Sequence, residues 1–355
     1  MQHKYTVEAV DCTLHDLLKK DIAFGGITVL FGGDFWQTLP VIPKGNRQET
    51  VAASIKKGSL WSSINIYYLQ QNMQLDQAPQ SDDFANWLSQ IGAGRTIDEA
   101  GAVEIPENMG CQDNTITSLM NFVFSDISHG EKDDQYFLDR AILSCKNDDV
   151  ADINAQLLAK FPGQQQMLLS ADSVHFSDQG LNNFQPYSIE YLHSISSGSL
   201  PPAHLALKPG CPVMLLRNLD PSKGLCNGTR LRIIEIRPRV LKCRVMSGDR
   251  RFSGRVVFVP RITLQPSAED LHIPLQRPQF PVHLAFAMTV NKSQGQSLRY
   301  VGLNLQSPTF SHGQLYVGLS RCTSGQRIKV LFKPGNTDRK TQNIVYQEVF
   351  GGLQL

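Results

Sequence analysis

The sequence lacks long hydrophobic runs. Stretches such as Ile27 to Phe31 reach about five residues, against the roughly 18–20 that a membrane-spanning helix needs. The first residues, from Gln2 to Tyr5, have no apolar core and do not read as a signal peptide. Cysteine is sparse: seven are scattered along 355 residues, with no Cys-x-x-Cys pair. That argues against zinc and against a disulfide framework, and for a reducing compartment. Net charge is also nearly missing, since 34 Lys and Arg face 32 Asp and Glu, leaving +2. No repeat stands out at a fixed period.

The near-neutral total hides two opposite blocks. Residues 76–150 hold 15 acidic and 4 basic side chains, a net of −11. Residues 208–261 hold 13 basic and 3 acidic ones, a net of +10. Hydrophobic residues make up 41% of the chain and charged residues 19%. Such a chain can bury a core, and its length fits two to three domains.

Apolar spacing at Val7, Val10, Leu14, Leu17 and Leu18 predicts an amphipathic helix over 7–20, ended by Gly25-Gly26. Ile27-Thr28-Val29-Leu30-Phe31 then reads as a strand buried on both faces of a parallel sheet. A shorter strand is expected near 66–69, and a helix over 81–91 with Ser81 as its cap. Further on, 140–145 reads as a strand and 148–160 as a helix. From about 163 the pattern turns to short strands with frequent Pro and Gly. Strands are expected at 211–217, 229–236, 239–246 and 255–259, with Asn227-Gly228 as a hairpin signal. The α/β pattern returns with strands at 283–288, 301–305 and 328–332. An α/β fold interrupted by a β-rich insertion follows.

Three segments have the composition of a site. Gly32-Gly33-Asp34-Phe35-Trp36-Gln37-Thr38-Leu39-Pro40 follows the first expected strand, where α/β sheets place ligands. Glycine admits a phosphate close to the backbone, Asp can orient a metal-bound water, and Gln can sense a terminal phosphate. Thr289-Val290-Asn291-Lys292-Ser293-Gln294-Gly295 is dense in donors suited to phosphate oxygens. The run from His312 to Arg321 would deliver an Arg from a helix end. Taken singly, each also reads as an ordinary loop, helix start or surface charge.

Together they resemble motifs III, V and VI of superfamily 1B DNA helicases. The similarity is greatest to the PIF (petite integration frequency) family, in its Helitron-transposon branch. Glu8-Ala9-Val10-Asp11, Cys145-Lys146-Asn147-Asp148-Asp149-Val150 and Gly224-Leu225-Cys226-Asn227-Gly228-Thr229-Arg230-Leu231 also resemble that branch. The resemblance implies a P-loop NTPase fold with two RecA-like domains. The first, incomplete, would span 1–117. The second would span 118–162 plus 282–346. A DNA-binding Src-homology-type β-barrel would occupy 163–281, and a tail 347–355.

The resemblance also implies an ATP-dependent, 5′–3′ DNA helicase using ATP and Mg²⁺, in DNA repair, recombination, telomere maintenance or Helitron transposition. Gln37 would sense the γ-phosphate, with Asp34 beside metal and water and Arg321 as an arginine finger reaching across from the second domain. Gly33 and Gly295 would line the nucleotide. Thr289, Asn291, Lys292, Ser293 and Gln294 would hold the DNA backbone. Implied partners are single-stranded DNA and DNA junctions, with no membrane and no zinc, for a monomer in the nucleus or mitochondria.

Departures from the pattern shape the expectation. The sequence has no Gly-x-x-x-x-Gly-Lys-[Ser/Thr] string to cradle phosphates. Asp98-Glu99 is no substitute for the metal-binding acidic pair, because it follows no buried strand and comes after Gln37. The Mg-ATP ligands would lie upstream of Met1, as in a truncated copy or a mis-called start. Trp36 stands where the family usually has Arg, and Gln74 replaces the Arg of motif IV. The chain alone is therefore expected to be inactive. The alternative is a non-catalytic remnant that binds single-stranded nucleic acid.

Overall fold

The computed structural model describes residues 2–69, 79–174, 187–266, 271 and 273–352. The motif IV-like Asn72 to Leu75, with Gln74, lies outside them. The chain divides into two compact units of mixed α/β structure. One comprises 1–115, 293–297 and 303–355; the other comprises 116–292 and 298–302.

The first unit opens with the helix Lys4–Leu18, ended by Lys19 in a left-handed conformation. Its apolar stripe is not buried as expected: Val10, Leu17 and Leu18 are exposed, and Asp11 is the buried residue. Asp11 accepts a hydrogen bond from Phe24 N, tying the following turn back to the helix. The run Ile27 to Phe31 forms no strand, and all five residues are exposed. None of the N–H groups of 28–33 bonds another of the described residues. Residues 64–69 are likewise without strand pairing. The physical reason is shared: among the described residues no neighbouring strand accepts either run.

The expected helix near 81–91 is Pro79–Ala93, so Ser81 lies inside its first turn rather than capping it. Ala102–Glu104 pairs antiparallel with Lys340–Gln342. Asp98 folds into the turn before it, accepting from Ala100 N and Ala102 N and pairing with Lys340. Residues 346–352 are no loose tail. Val349 and Phe350 bury against Leu39 and Val51, and Lys56 Nζ donates to Val349 O. Arg47 grips Glu348 through two hydrogen bonds, at 3.0 and 2.7 Å.

In the second unit Arg140–Ser144 pairs in parallel with Ala287–Thr289. The helix Asn147–Lys160 packs on this pair, burying Ile153, Leu157 and Leu158. A five-stranded antiparallel sheet runs in the order 282–284, 212–215, 230–236, 240–246, 256–260. Its first hairpin is not the tight turn that Asn227-Gly228 suggested. The connection spans 216–229, with a bridge between Asp220 and Leu225 inside it.

The expected strand at 283–288 is two strands. Val282–Leu284 belongs to the antiparallel sheet and Ala287–Thr289 to the parallel pair. Asn154, nearly fully buried, holds the break. Its amide donates to Leu284 O and Ala287 O and accepts from Ala287 N. An unmet backbone group at such a switch would cost about 1–3 kcal/mol, which this side chain averts. Phe286 at the break packs among Phe124, Phe137 and Phe161.

The two charge blocks partly cancel inside this unit. Arg232 of the basic block pairs with Asp134 of the acidic one at 3.1 Å, and Arg244 reaches the same carboxylate at 3.6 Å.

Candidate functional site

Asp34 starts the site because of how its loop folds. Its carboxylate accepts from Trp36 N at 2.9 Å, and its carbonyl accepts from Gln37 N at 3.2 Å. Asp is suited to this turn, since its short side chain reaches the backbone two residues on. The turn points Gln37 back at Asp34, and Gln37 Nε2 donates to Asp34 Oδ2 at 3.3 Å. The glycines beside it stand in open space. A Cβ added at Gly32 or Gly33 would meet nothing within 4 Å.

Gln294 completes an amide relay. Its Nε2 donates to Gln37 Oε1 at 2.8 Å, and its Oε1 accepts from Thr38 Oγ1 at 3.1 Å. Both ends of the Gln37 side chain are therefore engaged. Gly295 follows with φ +79°, a conformation that suits glycine. Two residues on, the Gln296 carbonyl accepts from Arg321 Nη1 at 3.1 Å.

Arg321 comes off the short helix Gln314–Leu319 and is nearly buried. Nε donates to Val317 O and Nη2 to Ser320 Oγ. Burial lowers its pKa, and the neighbouring Tyr316 phenol and Asp34 carboxylate oppose that. Tyr316 hydrogen-bonds Asp34, and its pKa is raised by burial and then by that carboxylate. Its ring meets Trp36 edge-on at 5.6 Å.

Two residues before this helix lock it to the Asp34 loop. His312 is 1% exposed; its Nε2 lies 2.9 Å from Phe35 O, and its Nδ1 accepts from Tyr346 N. Those partners require the neutral ring protonated on Nε2. Burial accordingly lowers its pKa. Gly313 sits at φ +70°, where a Cβ would fall 2.3 Å from Trp36 O and 2.7 Å from the Gln37 carbonyl carbon. No larger residue permits that approach.

Asp34, Gln37, Ser293, Gln294, Gly295 and Arg321 all belong to the first unit, and hydrogen bonds or charge connect Asp34, Gln37, Gln294 and Arg321. Thr289, Asn291 and Lys292 belong to the second. There Thr289 ends the parallel strand, and Lys292 Nζ lies 3.4 Å from Gly198 O with its pKa lowered by burial. Sequence reasoning gave no role to His312, Gly313 or Tyr316, although all three stand in the run it quoted. A His-Gly pair just before a helix was the available signal.

Trp36 marks a further difference. Its indole lies against Gly92, where a Cβ would come within 2.8 Å of the ring. Its Nε1 is buried and has no partner among the described residues, beside a cavity of about 330 Å³ lined by Asn86, Ser89, Gln90, Ala93 and Arg95. Magnesium does not fit the described residues. Among the described residues no three His, Cys, Asp or Glu side chains gather as a metal site. The Asp34 carboxylate is already taken by Trp36 N, Gln37 and Tyr316.

Comparison with known proteins bears on the family and the fold. Residues 1–102 match the family described as PIF1-like helicase, and 190–236 match the 2B domain of DNA helicase Pif1. The human ATP-dependent DNA helicase PIF1 is 30% identical over 311 residues, 87% of this chain and 41% of that protein. Pif1 of Bdellovibrio bacteriovorus is 27% identical over 318 residues, 87% of this chain and 59% of that protein. The chain thus spans less than two thirds of these relatives. A Bacteroides Pif1 structure with ADP-AlF3 and single-stranded DNA superposes with a TM-score of 0.64 at 23% identity. That match covers 98% of this chain and 70% of the other, and it makes the fold that of a Pif1 helicase core. In sequence and fold, the chain belongs to the PIF1-like helicase family.

Proposed function

We propose that this chain forms the motif III, V and VI side of an ATP-dependent 5′–3′ DNA helicase. The observation that supports the reading is the connected set Asp34, Gln37, Gln294 and Arg321 within one unit. In this reading Gln37 senses the terminal phosphate and Arg321 offsets the charge that develops on it. ATP, when bound, supplies the phosphoryl group whose loss drives movement. To meet a phosphate, Arg321 exchanges the Gln296 carbonyl, and Gln37 Nε2 exchanges the Asp34 carboxylate. Phosphate contact thereby changes the bonds of the 293–297 loop. Asn291, Lys292 and Thr289, just before that loop, are the side chains assigned to the DNA backbone. Gly33 and Gly295 flank the nucleotide.

The domain reading goes with it. In this reading residues 1–117 are part of one RecA-like domain and 118–162 with 282–346 are the other, although 293–297 and 303–346 fall in the same compact unit as 1–115. Residues 163–281 form the inserted DNA-binding module, supported by the 2B-domain match at 190–236. The partner is single-stranded DNA or a DNA junction, met in the nucleus or mitochondria by a monomer. Repair, recombination, telomere maintenance and Helitron transposition are the processes that use such chemistry.

The 355 residues include no phosphate-loop string and no metal-binding carboxylate cluster among the described residues. The chain by itself therefore binds single-stranded DNA without turning over ATP. ATPase assays with and without oligo(dT), beside an anisotropy titration at low salt, test this. Salt-sensitive binding with background turnover is expected. DNA-stimulated turnover that disappears in Arg321→Ala would show a complete enzyme instead. Absence of binding would reject the DNA-binding reading.

A further inference from the structure

The basic residues of 208–261 do not form one patch. Lys208 is buried, and its ammonium donates to Phe161 O at the end of the helix Asn147–Lys160. Arg230 is buried on Ala285 O, and Arg232 on Asp134. Lys223, Arg237 and Arg251 each pair with a carboxylate two or three residues away. Much of the +10 is thus spent inside the fold.

What remains collects on one face of the antiparallel sheet. In Val240–Met246, Leu241, Cys243 and Val245 are buried; in Val256–Pro260, Val257 and Val259 are. Strand alternation therefore turns Val240, Lys242 and Arg244, with Val256, Phe258 and Pro260, to the opposite face. The register sets Lys242 directly across from Phe258 and Arg244 across from Val256. Phe258 is 62% exposed at the middle of its strand, and Val256 is 50% exposed. Lys242 has no ion pair within 4 Å among the described residues. Its acidic neighbour Glu235, across the other strand, is already paired with Arg237. Arg244 is 43% exposed, with its Asp134 contact at 3.6 Å. Arg239 and Arg255, just before the two strands, are exposed.

We propose that this face is a platform for single-stranded nucleic acid: one base stacks on Phe258, and Lys242 and Arg244 take the flanking phosphates. An exposed ring between cations matches a strand that offers alternating base faces and phosphates. A duplex hides its base faces, and an acidic peptide would use the cations and leave the ring idle. The assignment rests on the DNA-binding reading above and names where on the module the strand lies.

The test uses the whole chain and labelled oligo(dT), followed by anisotropy and fluorescence. Phe258→Ala weakens binding about tenfold, and Lys242→Ala lowers the salt slope by about one. Phe258→Trp retains affinity, and its emission is quenched when oligo(dT) binds. That quench also serves if Phe258→Ala fails to fold. Normal binding by Phe258→Ala with an unquenched Phe258→Trp would overturn the platform and leave the DNA-binding reading standing. No binding by the unaltered chain would remove both. Equal competition by duplex DNA or by poly-glutamate, lost with Phe258→Ala, would assign the face to another partner and overturn the proposal.

Discussion

Ile27–Phe31 and Arg140–Ser144 make an instructive pair. The first is the more apolar, yet Leu30 is 93% exposed and every residue of the run faces solvent. The second begins with Arg and ends with Ser, yet Ala141, Ile142, Leu143 and Ser144 are completely buried. The difference lies in what stands beside them. Arg140–Ser144 has Ala287–Thr289 in parallel register, Ile142 opposite Ala287, and the helix Asn147–Lys160 above. Ile27–Phe31 has no strand neighbour among the described residues. Strand propensity records fitness for a half-buried pleated surface, and only a neighbour supplies that surface.

The largest expected effect follows from the buried member of the pair. Ile142→Ser removes a fully buried side chain and places a hydroxyl where sheet and helix meet. It should destabilise the second unit by about 3–5 kcal/mol. A urea midpoint near that of the unaltered chain would show that the parallel pair is not the core described here.

Gly313→Ala tests a different kind of closeness. It combines a positive φ with a methyl 2.3 Å from Trp36 O. A loss of about 2–3 kcal/mol is expected, with the Asp34 loop released from the helix Gln314–Leu319. Gly335→Ala is the control, since it has φ +82° but open space around a Cβ. It should lose about 1 kcal/mol. Equal losses for the two would mean that strain alone, and not the backbone approach, requires Gly313.

These two sites also mark how far the sequence could be read. Periodicity located the helix Asn147–Lys160 to within a residue and the strand Ile328–Phe332 at both ends, because their neighbours suit their pattern. It merged Val282–Leu284 with Ala287–Thr289, because apolar spacing is silent about which sheet a residue joins. Asn154, more than a hundred residues away, decides that. Asp34, Gln37, Gln294 and Arg321 were legible through motif resemblance. Gly313 and His312 were not, since their reason is a loop remote in sequence. The exposure of Ile27–Phe31 was illegible for the same cause: an absent neighbour leaves no local trace.

Acid should weaken both units. His283 is held down to about 4, first by burial and then by Lys292, and His312 is also held below its ordinary value. In the unfolded chain each takes up a proton near pH 6.5. Between that pH and the folded value the unfolded state binds more protons, so stability falls as pH drops. Above pH 6.5 these groups contribute no slope. Melting temperatures from pH 8 to pH 4 should therefore be flat and then decline, and His283→Asn should flatten the decline. An unchanged acid slope in that variant would place the sensitivity elsewhere.

Leu30→Ser should have the smallest effect, and it sharpens the opening comparison most. The side chain is 93% exposed, so its removal forfeits almost no buried area. Stability should stay within about 0.5 kcal/mol of the unaltered chain. The substitution also breaks an apolar run whose N–H groups from Thr28 to Phe31 meet no partner among the described residues, the pattern that templates pairing between chains. Self-association, followed by light scattering against concentration, should therefore fall while the melting temperature holds. If Leu30→Ser instead destabilised the chain as Ile142→Ser does, the two runs would be equivalent in solution, and Ile27–Phe31 would have a neighbour there.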